Sequence, residues 1–489
     1  MKAFSFFTLF LVLSLLFFSC DKTLYIDFNV DPMVDPLVAS EILSIPLPDG
    51  IAFSDDPAAA KRISVILAVK SWEKSLPVED GATSAEKLLR REWFVPAVHY
   101  ASGISQYTSQ ENTPEIPIVP LTDLKLPNRA LPVDGRYPGD SEYPFYRDTT
   151  IMLTSEETQD RHEGALAALA DWIELLPATR EKTEIVWFAG VGDLMPGRGV
   201  SQLLRRPDGL ETVFTDTLPV LQRVDLLAGN LEGAVTNRGV RKEKSYTFNF
   251  QPAVLDSLKS AGFDYLSITN NHSFDFGEIG FLDTLHHLKS SGIATSGAGV
   301  NPPAATAPSV FKLKGEEIGV LSMGAYPPER NGFDGEAITS VTEGRPGVLW
   351  ADSIGLKAVD AAFSETRFDV LMVHGGVEWS TAPTPEQREL YRGFIDSGAE
   401  AVIGSHPHVL QGIEVYKGGL IAYSLGNFIF PGMDETAYGE ESLILLLGII
   451  DKKVAYIEMV PVTIDGKTLS IDTTGQILNR VLQRTRNLD

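Results

Sequence analysis

The stretch EIVWFAGVGDLMPGR, residues 184–198, begins as an apolar run and ends in a turn rich in glycine and proline. Residues 185–190 predict a buried strand, and Asp193 follows this strand closely. Further apolar strands are predicted downstream, and they alternate with amphipathic helices at 254–261, 281–290 and 386–397. The strands are at 224–228, 265–269, 318–323, 370–373, 401–403 and 420–423, and 442–450 with 454–462 forms a hairpin. This alternation predicts an α/β layered fold with a largely parallel or mixed sheet.

Side chains that can bind metals come just after these strands, one group after another. They are Asp193, Asn230, Glu232, Asn271, His272, Asp275, His374, Glu378, His406 and His408. Ligands of open α/β sheets bind beyond the carboxyl ends of the strands, so we expect these groups to meet in one crevice. Mixed carboxylate, amide and imidazole donors suit divalent ions such as Mn²⁺, Zn²⁺ or Fe. Two such ions about 3.5–4 Å apart can clamp the attacking and leaving oxygens of a hydrolysis.

The length and charge of the chain limit what it can be. A chain of 489 residues exceeds what one hydrophobic core usually serves, so two domains are expected, at 21–182 and 183–489. The first is rich in proline and is predicted to be a small α/β domain of unknown role, with a strand at 63–69 and helices at 85–93 and 163–176. The net charge of −24 argues against a broad nucleic-acid role, because phosphate backbones are bound by clustered Lys and Arg.

The N-terminus has the pattern of an export signal. Residues 1–20 contain one lysine, an apolar run at 3–18 and then Ser19 and Cys20, which is the single cysteine of the chain. A cysteine at this place resembles a bacterial lipobox, in which the thiol is acylated. The alternatives are an uncleaved membrane anchor and a plain secretory signal. Lipidation at Cys20 or an uncleaved anchor predicts a membrane-attached protein outside the cytoplasm.

The motifs GDLMPGR, NLEG, NNHxxDxG, HGxxxW, GSHPH and YSLGNF, in this order, resemble the CapA or poly-γ-glutamate capsule synthesis family from about residue 184 to residue 462. That family resembles calcineurin-like metallophosphoesterases, so the resemblance implies a four-layer α/β/β/α sandwich with two divalent ions. It also implies ligands for both ions: Asp193 and His408 for the first, Glu232 as the bridge, and Asn271, His374 and His406 for the second. His272 would be the acid that protonates a leaving group.

Other residues keep two interpretations each. Asp275 either orients His272 through a hydrogen bond or caps the following turn. Arg198 is a candidate for contact with an anionic substrate or for a surface salt bridge, and Asn427 is a candidate for substrate contact or a turn former. Phosphoesterases have a histidine at the position of Met195, so one metal would have fewer ligands here.

Three functions follow from these interpretations. The first is a metal-dependent hydrolase-like protein of the cell envelope that acts in synthesis, transfer or release of an anionic surface polymer. Its bond would be a phosphoester or a γ-glutamyl amide, and a polymer-synthesis complex would be its partner. The second is a non-catalytic accessory that uses its metals to bind such a polymer, which Met195 favours. The third places specificity in the N-terminal domain.

Overall fold

The computed structural model describes most of the chain. The described residues are 24–30, 36–48, 51–53, 63–71, 83–99, 116–121, 124–126, 128–133, 135–140, 143–155, 163–176, 179–180, 184–329, 332–363 and 366–488. The signal-like segment 1–20, with Cys20, lies outside this range. Within it, no helix combines the length and the apolar character needed to cross a membrane.

The chain divides into two compact units. In its described residues, the first contains a sheet with the strand order β2-β1-β3-β7-β4-β5 and two helices. The bounds are β1 Leu24–Val30, α1 Pro36–Leu43, β2 Ile51–Phe53, β3 Ile63–Ser71, β4 Thr83–His99, β5 Ile118–Pro120, β6 Asn128–Ala130, β7 Tyr146–Ser155, α2 Glu163–Leu175 and β8 Thr179–Arg180. The end of β4, at residues 97–99, pairs with β6, and both of these segments belong to the second unit.

The helix predicted at 85–93 is wrong, because these residues lie inside strand β4. β4 runs antiparallel to β7 from Thr83 to Trp93, and Arg91 forms a bidentate ion pair with Asp148 of that strand. Local helix propensity was overridden by pairing with a segment far away in the sequence. The strand predicted at 63–69 and the helix predicted at 163–176 are confirmed as β3 and α2.

The second unit contains a mixed sheet with the order β13-β10-β9-β23-β24-β25, in which β22 also pairs with β9. Helices α3 to α7 and the pair β11–β12 belong to the same part of the chain. The bounds are β9 Val186–Leu194, α3 Val200–Leu204, α4 Gly209–Phe214, α5 Leu218–Gln222, β10 Leu226–Leu231, β11 Ala234–Val235, β12 Asn249–Phe250, α6 Ala253–Ala261, β13 Phe263–Ser267, α7 Gly277–Ser291, β22 Asn427–Ile429, β23 Glu441–Ile450, β24 Lys453–Asp465 and β25 Thr468–Ile471.

A second sheet of this unit has the order β15-β16-β18-β19-β21-β20, and β16, β18, β19 and β21 are parallel. The bounds are β14 Ala298–Gly299, α8 Pro302–Thr306, β15 Ser309–Leu313, β16 Glu316–Ala325, α9 Gly335–Thr339, β17 Gly347–Val348, α10 Ser353–Ala362, β18 Phe368–Gly375, α11 Pro385–Asp396, β19 Ala401–Ser405, β20 Ile413–Tyr416, β21 Gly419–Ala422 and α12 Gln476–Arg486. The seven strands predicted one by one and the hairpin are present, with shifted ends.

The two sheets of the second unit stack face to face, with helices outside each. Side chains of β9 alternate between two cores, because Phe188 packs between the sheets and Ala189 packs beneath α6 and α7. Strand β18 alternates in the same way, with Met372 between the sheets and Leu371 beneath α10 and α11. Strands buried on both faces read as continuous apolar runs, as these do. The predicted four-layer α/β/β/α sandwich is confirmed.

Candidate metal centre

Asp193 lies near the end of β9, with the strands β10 and β22 on either side. Its Cα is in register with those of Asn230 in β10 and Asn427 in β22, so three polar residues lie side by side on neighbouring strands. A Cβ at Gly192 would come within 1.9 Å of the carbonyl oxygen of Gly426, so only glycine allows this approach of β9 and β22. Because β9 runs to Leu194, Asp193 belongs to the strand rather than to the turn that the sequence indicates.

Asp193, Glu232 and His408 form one donor group. Each offers a ligand atom, and these atoms all lie within 4.8 Å of one another. His408 Nδ1 is 3.4 Å from Asp193 Oδ2, and its Nε2 is 3.8 Å from Glu232 Oε1. A buried carboxylate pair with one imidazole is a donor set that a divalent transition ion or Zn²⁺ accepts.

Glu232 is the observation that tests whether a metal fits here. Its side chain is 0% exposed, and in the part of the chain that the structure describes neither of its carboxylate oxygens has a hydrogen-bond partner. A buried carboxylate without a partner costs free energy, and a cation bound between Glu232, Asp193 and His408 would remove that cost. The residues present therefore fit a metal ion at this position.

Asn271, His374 and His406 form a second donor group beside the first. His374 Nε2 lies 3.1 Å from Asn271 Oδ1 and 3.1 Å from His406 Nδ1. Asp193 joins the two groups, because its Oδ1 is 3.6 Å from His374 Nδ1 and its Oδ2 accepts a hydrogen bond from the backbone N–H of His406. The structure thus brings the six predicted ligand residues to one place, at strand ends of both sheets.

Two asparagines hold these donors in position. The sequence indicated Asn230 only as one of the side chains able to bind a metal, and it assigned Asn270 no role. Asn230 Nδ2 donates to Asp193 Oδ1 at 2.8 Å and lies 3.1 Å from His374 Nδ1. Asn270 Nδ2 donates in turn to Asn230 Oδ1, and Asn270 Oδ1 accepts from the backbone N–H of His272. Both occur in the motifs quoted above, but only the contacts show that their amides orient the ligands.

His272 faces the first donor group. Its Nδ1 lies 2.6 Å from Asp275 Oδ2, which leaves Nε2 3.5 Å from Glu232 Oε1. Burial lowers the pKa of His272, although the charge and hydrogen bond of Asp275 act in the opposite direction. Of the two interpretations of Asp275, the geometry supports the one in which it orients the imidazole. The ring borders a cleft of about 360 Å³ that is also lined by Asn271, Glu378 and His406.

Lys244 is a buried cation that the sequence did not single out. Its side chain is 3% exposed, and Nζ donates to Asp275 Oδ1 at 3.1 Å and to the backbone oxygen of Asn271 at 2.7 Å. Nζ also lies 2.9 Å from Glu329 Oε1, which accepts from Asn271 Nδ2. One ammonium group therefore contacts both Asp275, which holds His272, and Glu329, which holds the side chain of Asn271. In the sequence, Lys244 is one lysine of a basic run, and no motif distinguishes it as a residue of the site.

The remaining predicted residues lie at the edge of the centre. Asn427 is fully buried: Oδ1 is 2.9 Å from His408 Nδ1, and Nδ2 donates to two backbone oxygens. Contact with a substrate does not agree with this position, because both ends of the amide are already used to hold His408. Met195 is buried in the apolar core and supplies no oxygen or nitrogen donor. Arg198 is exposed, and Nη1 donates to the backbone oxygen of Pro431.

The electrostatics of the first donor group predict a pH-dependent metal affinity. Burial raises the pKa of Glu232 well above its usual value. Burial alone would lower the pKa of His408, but neighbouring negative charge and the hydrogen bond to Asp193 raise it to about 9. Because the pKa values of Glu232 and His408 are both raised, the first donor group without metal keeps a proton at neutral pH. A cation must displace this proton when it binds.

We therefore expect apparent affinity for Mn²⁺ or Zn²⁺ to rise about tenfold per pH unit up to about pH 9. Calorimetry in two buffers of different ionisation enthalpy at pH 7 measures the released proton directly. Equal binding heats in both buffers, with affinity independent of pH between 6 and 8, would contradict the expectation.

The four-layer sandwich and the buried acid–imidazole group at its strand ends define an α/β/β/α class of protein with a candidate metal site. A family model described as bacterial capsule synthesis protein PGA_cap matches residues 188–432, which include every residue of both donor groups. The chain belongs to this capsule synthesis family.

Curated relatives agree with this membership. The chain is 30% identical over 329 residues to "Capsule biosynthesis protein CapA" of Bacillus anthracis, covering 64% of this chain and 77% of that protein. It is 34% identical over 244 residues to "PGA biosynthesis protein CapA" of Bacillus subtilis, covering 49% of this chain and 62% of that protein. A Mycobacterium tuberculosis relative, "Probable polyglutamine synthesis accessory protein", is 26% identical over 279 residues, covering 49% of this chain and 72% of that protein.

Among solved structures, a hypothetical protein from Thermus thermophilus matches with a TM-score of 0.37 and 16% identity, over 56% of this chain and 98% of that one. The 5'-nucleotidase of Candida albicans matches with a TM-score of 0.32 and 11% identity, over 63% of this chain and 58% of that one.

Proposed function

We propose that this chain is a metal-dependent hydrolase of the cell envelope that cleaves a phosphoester or γ-glutamyl amide bond in the synthesis, transfer or release of an anionic surface polymer. The observation that supports it most is Glu232, whose two buried oxygens have no hydrogen-bond partner among the described residues although they lie beside Asp193, His408 and His272. Stability alone gives no reason to bury such a carboxylate, whereas a cation site does.

The proposal gives each group a task. Asp193, Glu232 and His408 hold one divalent ion, and Asn271, His374 and His406 hold a second, of Mn, Zn or Fe. When bound, such ions supply Lewis-acid polarisation of a carbonyl or phosphoryl oxygen. His272 faces the same space and would transfer a proton at Nε2, while Asp275 holds its Nδ1.

The polymer and the location are proposed from the relatives and from the N-terminus. The Bacillus relatives are described as capsule and PGA biosynthesis proteins, so we take a polyanion of that kind as the substrate or its precursor. The signal-like segment 1–20 supports export, and acylation of Cys20 would attach the protein to the membrane beside a polymer-synthesis complex.

A non-catalytic accessory is the second candidate. It is favoured by Met195, a buried apolar side chain at a position where phosphoesterases have a histidine, and by the name of one relative, which calls it an accessory protein. The metals would then bind the polymer without hydrolysis.

The two candidates are separated by turnover of the purified full-length protein. We expect hydrolysis of bis-p-nitrophenyl phosphate or of a γ-glutamyl oligomer in the presence of Mn²⁺ or Zn²⁺, with loss of activity in EDTA and recovery on adding metal. Metal-dependent binding of poly-γ-glutamate without cleavage of either probe would support the accessory instead. Turnover that EDTA leaves unchanged would overturn both metal-based candidates.

A further inference from the structure

We infer that the reaction site has a second compartment, a cationic pocket that binds an oxyanion on the substrate away from the bond that is cleaved. The inference rests on the proposed function, because it takes the cleft beside His272 as the place of reaction. It adds a requirement on the substrate, which must be an oligoanion rather than a molecule with a single charged group.

The cationic pocket is a cavity of about 270 Å³ lined by Arg198, Arg241, Ser245, Tyr246 and Thr247, among others. The cleft over the metal centre shares Ser245 and Tyr246 with it, so the two cavities border the same loop. The ring of Phe248 lies 4.2 Å from the His272 ring, and the Arg198 guanidinium lies 5.9 Å from the same Phe248 ring. One aromatic ring thus separates the cation from the predicted acid.

The loop that contains Arg241 is attached to the floor of the metal centre. Lys244 is buried in its ion pairs with Asp275 and Glu329, and the backbone N–H of Phe248 donates to Asp275 Oδ2 at 2.7 Å. These contacts fix the loop on both sides of Ser245. The position of Arg241 relative to the centre is therefore set by buried bonds, although Arg241 itself is exposed.

Both arginines have donor groups left for a ligand. Arg241 Nε donates to Thr247 Oγ1, and Arg198 Nη1 donates to the backbone oxygen of Pro431. The structure gives these two guanidinium groups no acidic partner among the residues it describes. Gly432 allows the close approach of Arg198, since a Cβ there would lie 2.6 Å from Nη1.

Charge makes this pocket unusual in the chain. The protein has a net charge of −24, yet the described residues that line the pocket include two arginines and no Asp or Glu. A guanidinium presents paired N–H groups that match the two oxygens of a carboxylate or phosphate. A polyanion that is repelled by most of the surface would be attracted at this place, next to the metal centre.

The ligand chemistry is a carboxylate or phosphate group separated from the reacting bond by about one aromatic ring. Calorimetric binding to metal-loaded, full-length protein tests it with tri-γ-glutamate and with inorganic tripolyphosphate as probes. The variants are Arg241→Gln, which keeps a donor for Thr247 but removes the charge, and Arg198→Ala. Arg486→Ala is the matched control, because it removes an exposed arginine of α12 that lines neither cavity.

We expect Arg241→Gln to weaken binding of one probe about tenfold, the usual effect of losing a charge-assisted hydrogen bond, and Arg486→Ala to leave it unchanged. The probe affected identifies the oxyanion as carboxylate or phosphate. If it is tri-γ-glutamate, the same peptide amidated at its α-carboxyl groups should bind weakly to the wild type. Wild-type affinity of Arg241→Gln and Arg198→Ala for both probes would overturn the inference, as would an equal loss in Arg486→Ala. If Arg241 is needed for binding of a probe but the protein hydrolyses neither probe, the hydrolase proposal is wrong and the oxyanion pocket is supported.

Discussion

Replacing His272 with Asn should lower turnover by about 10²–10⁴-fold and leave the bound metal unchanged. The imidazole is held by Asp275 at Nδ1 and faces Glu232 with Nε2, so it is placed to move a proton rather than to complete a donor group. Asparagine keeps a polar group of similar size but has no titratable nitrogen. Turnover with the most reactive probe and metal content by mass spectrometry are measured on the same preparation.

His286→Asn is the matched control for this variant. His286 is exposed on α7 and lines neither cavity, so both turnover and metal content should equal those of the wild type. If His272→Asn loses metal together with activity, His272 is a ligand and its assignment as proton donor is wrong.

Replacing Glu232 with Met should have two opposite effects. The metal-loaded protein should lose at least one ion per chain, because the first donor group keeps only Asp193 and His408. The metal-free protein should become more stable, by about 1–3 kcal/mol, because a buried carboxylate to which no described residue hydrogen-bonds is replaced by an apolar side chain of similar length. Metal analysis and urea unfolding in EDTA measure the two effects.

Glu378→Met is the control, since Glu378 is an exposed carboxylate that borders the same cleft. Its effect on the free energy of unfolding should stay within about 0.5 kcal/mol. A Glu232→Met protein that is less stable than the wild type in EDTA would show that the carboxylate has a structural role, and full metal content would remove Glu232 from the ligand set.

The order of helices and strands in the second unit could be predicted because its signals are local. Apolar runs at 370–373 and 401–403 are buried on both faces, so they read as strands without knowledge of their neighbours. In the first unit, the segment 85–93 shows where this fails. Its residues are compatible with a helix, and only the antiparallel pairing with β7 makes it a strand.

The sequence by itself placed the candidate side chains just after predicted strands, and its resemblance to a known family proposed which of them are metal ligands. Parallel strands of a sheet end at a common edge, so position along the chain already implies position in space for these candidates. The tertiary structure shows the contacts that bring donors of different sheets together, such as Asp193 and His408, in the grouping that the family resemblance implied. It alone revealed the positioning roles of Asn230, Asn270 and Lys244, because hydrogen bonds and buried ion pairs between distant segments leave no periodic trace in a sequence.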